Sequence, residues 1–386
     1  MELGRQEDDE LLSGTLVLDL SSVGPASRCT ALLADLGADV IKVGAPKGRI
    51  EPPFFSYGAG RGTRRIGIDI RKPEGRDVFL RLAQGADVVV ESYRPGVADR
   101  LGVGYTDVQK VNDRAVYCSI TGYGQDGPYA SWAGHDLNYL AVGGFLATQG
   151  RREDGGPAIP GATVADSAGG GMQAAIAILA ALLRRTVTDK GQYLDVSTTE
   201  GVLSLTSLYV DELLATGTET RPGSSLLTGG FACYDLYRAR DDRWLAVAAI
   251  EPKFFANLCR LLDCEEWIPH QMDPERQADI REAFRAAFAT RDAAEWVELL
   301  APADTCVAPV LTIAEVTEDP HLRARGVFAE AEHPERGRVA QLASVIAGSK
   351  RRDTYEAGSN ASDEILRNAG MTAEEIVELR AQGVVV

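Results

Sequence analysis

The first third of the chain alternates short apolar runs with helical patterns, and that alternation leaves few folds open. "TLVLDLSS" from Thr15 is β-rich and leads into a helical pattern through "SRCTALLADLGA"; "DVIKVG" and "RRIGIDI" read as further strands. "PEGRDVFLRLAQGA" has Pro73 near its start, where proline fits a helix, and Gly85 at its end. "DVVVESY" and "AVYCSITGYG" complete the set. Buried strands separated by helices imply a mostly parallel sheet with crossover connections, an α/β, Rossmann-like domain. The usual phosphate-binding signatures do not accompany it. "GAGRG", Gly58 to Gly62, neither follows a strand nor opens a helix, and the chain has no P-loop.

With 386 residues the chain exceeds one simple core, which predicts two domains. Tyr193 to Thr220 reads as a strand and a helical connection, and "RPGSSLLTGG" as a polar break. "FACYDLYRARDDRWLAVAAI" is a hairpin across Asp241 and Asp242, followed by helices from "PKFFANLCRLL" to "DAAEWVELL". This predicts a second, smaller α+β domain. The boundaries are 1–200 for the N-terminal part of the large domain, 201–228 for a linker, 229–330 for the small domain and 331–386 for the C-terminal segment. In that segment Thr372, three residues before Glu375, is set to cap a short amphipathic helix.

A net charge of −16 argues against nucleic acid, which needs a basic face. It leaves room for a small anionic ligand, because basic clusters survive locally; Arg61, Arg64, Arg65, Arg71 and Lys72 form one. The six cysteines lack metal-ligand spacing and read as reduced core residues of a cytoplasmic protein. The acidic start "MELGRQEDDELLSG" does not suit a secretory signal. "AAIAILAALL", too short to span a bilayer, is expected to be a buried helix, with no membrane partner.

Three segments can carry chemistry. "GHDLNY" places His135 beside Asp136 in surroundings otherwise free of charge, so His135 is either an ordinary loop histidine or a base working near neutrality. "VADSAGGGMQAAIAILAALLRR" sets Asp166 at a glycine-rich turn opening an apolar helix. Asp166 is an N-cap there, or a reacting group beside backbone amides that can hold an oxyanion, with Gly169 to Gly171 letting a ligand approach. "VAAIEPKFF" puts Glu251 at a strand-to-helix junction, as a helix-start carboxylate or as the orienting partner of a histidine.

Taken together, these segments resemble the family III CoA-transferase (CaiB/BaiF) fold, and within it the α-methylacyl-CoA racemases. "LADLGADVIKV", "VVVESYRPGVADRLGVGY" and "DPHLRARGVF" are similar to stretches shared across the fold; "GHDLNY" and "AIEPKF" are similar to racemase segments. The resemblance implies an interlocked-ring homodimer in which residues 331–386 return to the large domain. It also implies an isomerase inverting the α-carbon of a 2-methyl or otherwise 2-substituted acyl-CoA by two-base proton transfer. His135 and Asp166 would be the two groups, with Glu251 orienting His135. Ile68, Asp69, Ile70, Arg71, Ser92, Tyr93, Arg94 and Arg100, with Gly134, Asp136, Leu137, Asn138 and Tyr139 of the loop, would hold coenzyme A as part of the substrate. Neither a metal nor a further cofactor is expected.

One departure stands out: Gly44 and Ala45 occupy positions where the family usually has an acidic residue and an arginine, with Lys47 or Arg49 as substitutes. Other readings stay open. One is a CoA-transferase with Asp166 as nucleophile; another is an epimerase of a thioester other than CoA; a third is a non-catalytic thioester-binding scaffold.

Overall fold

The computed structural model describes residues 10–21, 23–46, 60–333, 337–346, 354–356 and 359–386. Lys47 and Arg49 lie outside them. In chain order the strands are β1 (Leu16–Asp19), β2 (Asp39–Gly44), β3 (Thr63–Gly67), β4 (Val88–Glu91), β5 (Val116–Thr121), β6 (Tyr193–Ser197), β7 (Tyr234–Arg238), β8 (Trp244–Ala248), β9 (Val307–Pro309), β10 (Phe328–His333), β11 (Gly337–Leu342), β12 (Thr354–Glu356) and β13 (Ser359–Asn360). The helices used below are α1 (Pro25–Asp35), α2 (Pro73–Ala83), α3 (Val97–Leu101), α4 (Tyr105–Val111), α5 (Asp136–Val142), α6 (Gln173–Thr188), α7 (Thr198–Leu205), α8 (Ser207–Thr216), α9 (Pro252–Leu261), α10 (Gln277–Phe288) and α11 (Ala293–Leu300).

The main sheet runs β13-β3-β2-β1-β4-β5-β6, with each neighbour parallel. Its apolar residues alternate between two covered faces. Val17, Val40, Val88 and Val116 pack with α1 and α6; Leu18, Ile41, Ile66 and Val89 pack with α2, α4 and a C-terminal helical pair, Ser362–Asn368 and Ala373–Ala381. Both faces are buried, as a parallel sheet requires. The strand order reverses between β1 and β4, and such a switch point opens a crevice at the carboxyl ends of the strands.

A buried ion pair fixes this edge. Asp19, fully buried at the end of β1, accepts hydrogen bonds from Lys42 Nζ at 2.7 Å, Thr30 Oγ1 at 2.5 Å and the Ser21 N–H at 2.7 Å. A buried carboxylate needs this many partners to offset lost hydration. At and just past the carboxyl end of β3 the chain is tied to residues far along the sequence. The Asp69 N–H donates to Val384 O at 2.8 Å, the Val386 N–H to Gly67 O at 3.1 Å, and Lys72 Nζ to Gln382 O at 2.7 Å.

The chain divides into two compact units: 1–144 with 160–207 and 320–386, and 145–159 with 208–319. The second unit pairs β7, β8 and β9 antiparallel. Tyr237, Phe255, Phe284, Phe288 and Trp296 fill its core with α9, α10 and α11. Asp242, in the left-handed region at φ 64°, closes the expected hairpin. The stretch 201–228, expected to be a linker, carries most of α7 and all of α8. A three-stranded sheet, β11-β10-β12, belongs to the first unit.

Several expectations need correction. The apolar helix α6 is buried on one side only, through Ala174, Ala175, Ile178 and Ala181, while Ile176, Leu183 and Val187 are exposed. Five cysteines are buried, but Cys306 is exposed. The basic cluster is largely spent on carboxylates. Arg61 pairs with Asp35 at the end of α1, Arg64 with Asp39 at the start of β2 and with Glu364 of a C-terminal helix, and Arg71 with Asp69 just after β3.

Candidate functional site

The crevice at the switch point is a cavity of about 460 Å³ within the first unit. Val23, Gly24 and Pro25, after β1, bring the start of α1 to its wall; Ser92, Tyr93 and Arg94 follow β4; Ile120 and Thr121 end β5. Tyr123, Trp132, His135, Tyr139 and Asp166 also line it.

His135 precedes α5 with an extended backbone, and its N–H donates to Asn138 Oδ1 at 3.0 Å. Asn138 therefore fixes the entry of that helix. His135 is exposed on this chain.

Asp166 is not an N-cap. It lies in the first turn of a π-helical stretch, Ala165–Met172, that runs into α6. Its own N–H donates to Asp136 Oδ1 at 2.8 Å, and the Ser167 N–H to Thr163 O at 2.9 Å. Those two amides are therefore engaged within the protein, which removes them from the oxyanion role expected of this segment. Burial, then the charge of Asp136, pushes the Asp166 carboxyl above its usual range, while Arg28 and His135 pull it down.

The glycines also serve a different purpose. Gly169, Gly170 and Gly171 are buried in contact with α1 and α7. A Cβ on Gly170 would meet Pro25 Cβ at 2.5 Å, and one on Gly201 would fall 1.7 Å from Gly169 O. They permit helices to approach, and a ligand has no access to them. Gly24 is the glycine whose Cβ position faces the Asp166 carboxyl: at φ +80°, it lies 3.8 Å from Asp166 Oδ2.

Three findings from comparison bear on this geometry. The model for CoA-transferase family III matches residues 12–359. The chain belongs to CoA-transferase family III. It is 35% identical to human alpha-methylacyl-CoA racemase, over 97% of both chains, and 30% identical to mouse succinyl-CoA:glutarate CoA-transferase, over 90% of this chain and 84% of that one. Among solved structures, a CAIB/BAIF family protein from Brucella suis superposes with a TM-score of 0.79 at 26% identity, covering 93% of this chain and 98% of the other.

For this family III chain the structure gathers only part of the expected set at the cavity: Ser92, Tyr93, Arg94, Gly134, His135, Tyr139 and Asp166 line it. Asp136 reaches it through the Asp166 amide, whereas Leu137 and Asn138 are exposed on α5 and do not line it. Ile68 is buried under Val385, and Ile70 packs against the core beside it. Arg71 lies against Asp69 at 2.8 Å, and the ion pair holds that carboxyl below its usual range. Arg100 is exposed on α3. Glu251 stands at the N-cap position of α9 in the second unit, with φ −72° and ψ 138°, and its side chain makes no capping hydrogen bond.

Sequence reasoning passed over Arg28, whose Nη2 donates to Thr163 Oγ1 at 2.6 Å. It also passed over Glu91. This buried carboxyl accepts the Tyr93 N–H at 2.6 Å, and burial pushes it up to about 7. Only the placement of Glu91 directly before "SYR" hinted at its hold on that loop.

Proposed function

We propose that the protein is a racemase or epimerase of 2-methyl or otherwise 2-substituted acyl-CoA thioesters, working by 1,1-proton transfer through an enolate. The observation that carries this reading is the shared cavity of His135 and Asp166, two proton-transfer groups of different type. Inverting a carbon acid needs one group to take the α-proton and a second to return a proton to the other face. His135 and Asp166 exchange these roles with the direction of reaction, each contributing about 10²–10⁴-fold. A carboxyl raised by burial suits such an exchange near neutrality. The thioester oxygen gains charge as the enolate forms, and the positive end of α1, at Val23–Pro25, favours it.

Arg94 is assigned to a coenzyme A phosphate, with Ser92 and Tyr93 beside it. Arg71, Arg100 and the Ile68–Ile70 segment carry the same assignment on resemblance alone, as does Glu251 for orienting the imidazole. The substrate's own coenzyme A is the one cofactor this chemistry uses. The working form is a homodimer acting in the cytoplasm; the exposed apolar residues Ile176, Leu183 and Val187 of α6 support association, since monomers seldom leave such a row uncovered.

The test is incubation with a 2-methylacyl-CoA in D2O, following the α-proton by NMR. Washout with loss of configuration is expected, abolished in His135→Ala and in Asp166→Ala. A second reading has Asp166 attack the thioester carbonyl and expel the CoA thiolate, leaving a mixed anhydride; the similarity to CoA-transferases supports it. No washout, with CoA moving to an added carboxylate and an adduct on Asp166, would replace the first reading by the second.

A further inference from the structure

Beside His135 the cavity is walled by aromatic rings. Tyr129 and Trp132 stack with centroids 3.9 Å apart and planes at 21°, although 42% and 51% exposed. Tyr123 meets both edge-on at 6.0 Å, and Tyr139 edge-on at 5.2 Å. The Tyr139 hydroxyl donates to Gly134 O at 2.6 Å, which ties the rings to the segment that carries His135. Tyr123, Trp132 and Tyr139 all line the cavity. An exposed indole held by two other rings, one stacked and one edge-on, is surface kept for a ligand, because leaving it in water forfeits the gain of burying it. On the racemase reading, its place three residues before His135 on the wall of the same cavity sets it beside the reacting end of a bound thioester.

We propose that Trp132, stacked on Tyr129, selects thioesters whose acyl group carries a flat ring one carbon beyond the α-centre. This rests on the racemase reading for the placement of the thioester and extends it to a substrate class. A flat ring lies on the indole or meets it edge-on, as aromatic pairs prefer; a puckered ring of similar volume gains the same area with less complementary contact.

The test compares 2-methyl-3-phenylpropanoyl-CoA with 2-methyl-3-cyclohexylpropanoyl-CoA in the D2O exchange assay, two substrates of nearly equal α-proton acidity. The kcat/KM ratio of the wild type should favour the phenyl compound by about tenfold, chiefly through KM. In Trp132→Ala the ratio should fall to about one, and Trp132→Phe should restore part of it. A binding arm follows quenching of tryptophan fluorescence. Saturation with 3-phenylpropanoyl-CoA should come at lower concentration than with free coenzyme A, and Trp132→Phe should remove the signal. A ratio unaltered by Trp132→Ala, or a loss of affinity for free coenzyme A as large as that for the phenyl thioester, overturns the inference. If the wild type exchanges neither substrate, the racemase reading fails and the binding arm alone decides what Trp132 holds.

Discussion

Asp166 stands among opposed charges, and each can be removed separately. Asp136 raises its carboxyl and Arg28 lowers it. On the proposed mechanism Asp166 must be ionised in the direction where it takes the proton, so its titration would set the acid limb of the rate profile. Asp136→Asn keeps an acceptor for the Asp166 N–H and should move that limb to lower pH. Arg28→Met should move it to higher pH. Profiles of kcat/KM for exchange measure both, and a shift of the two variants in the same direction would refute this account of the site.

Glu91 bears on stability. Its folded value of about 7 lies above the ordinary 4.5, so folding favours the protonated form. The unfolded chain loses this proton first as pH rises, and stability therefore declines between about pH 4.5 and pH 7. At about 1.36 kcal/mol per unit, the loss amounts to roughly 3 kcal/mol. Glu91→Gln keeps an acceptor for the Tyr93 N–H and should flatten that slope. Urea midpoints at about pH 5 and pH 7.5 decide it, and an unchanged slope would count against the burial argument.

At the level of elements, the contact between α7 and the π-helical stretch is closed by glycine. Gly201→Ala must push α7 away from Gly169 O, and overpacking of this kind costs about 1–3 kcal/mol. Gly161→Ala, with nothing within 4 Å, is the control. Urea unfolding should separate the two variants; equal midpoints would mean the helices shift without cost. The same contact shows where reading from sequence stops. The strands, the hairpin at Asp242 and the Thr372 cap rest on local patterns and are visible in them. A glycine run opening a helix looks the same whether a ligand or another helix approaches it, and α7 lies well downstream. The arginines were misjudged for a related reason: parallel registers bring Asp39 to Arg64, and charge counting along the chain does not see that pairing. His135 and Asp166 were legible because their segments resemble known ones. The Arg28–Thr163 hydrogen bond, spanning 135 positions, left no local trace.

For the whole molecule, the uncovered row on α6 gives a test of assembly. Leu183 and Val187 are 71% and 87% exposed. If the proposed homodimer forms through this row, Leu183→Glu with Val187→Glu should leave the fold intact by circular dichroism while sedimentation shifts from dimer to monomer, with exchange activity lost alongside. A dimer that survives both charges would place the interface elsewhere. The tie between β3 and Val384–Val386 has a consequence for how the molecule is made. Lys72 waits for a carbonyl 310 positions later, and the Gly67 carbonyl for the amide of Val386. A ribosome adding about 5–20 residues each second leaves the end of β3 without these partners for roughly 15–60 s. Through that interval a chaperone, or the nascent chain's own unfinished collapse, has to stand in for three valines not yet translated.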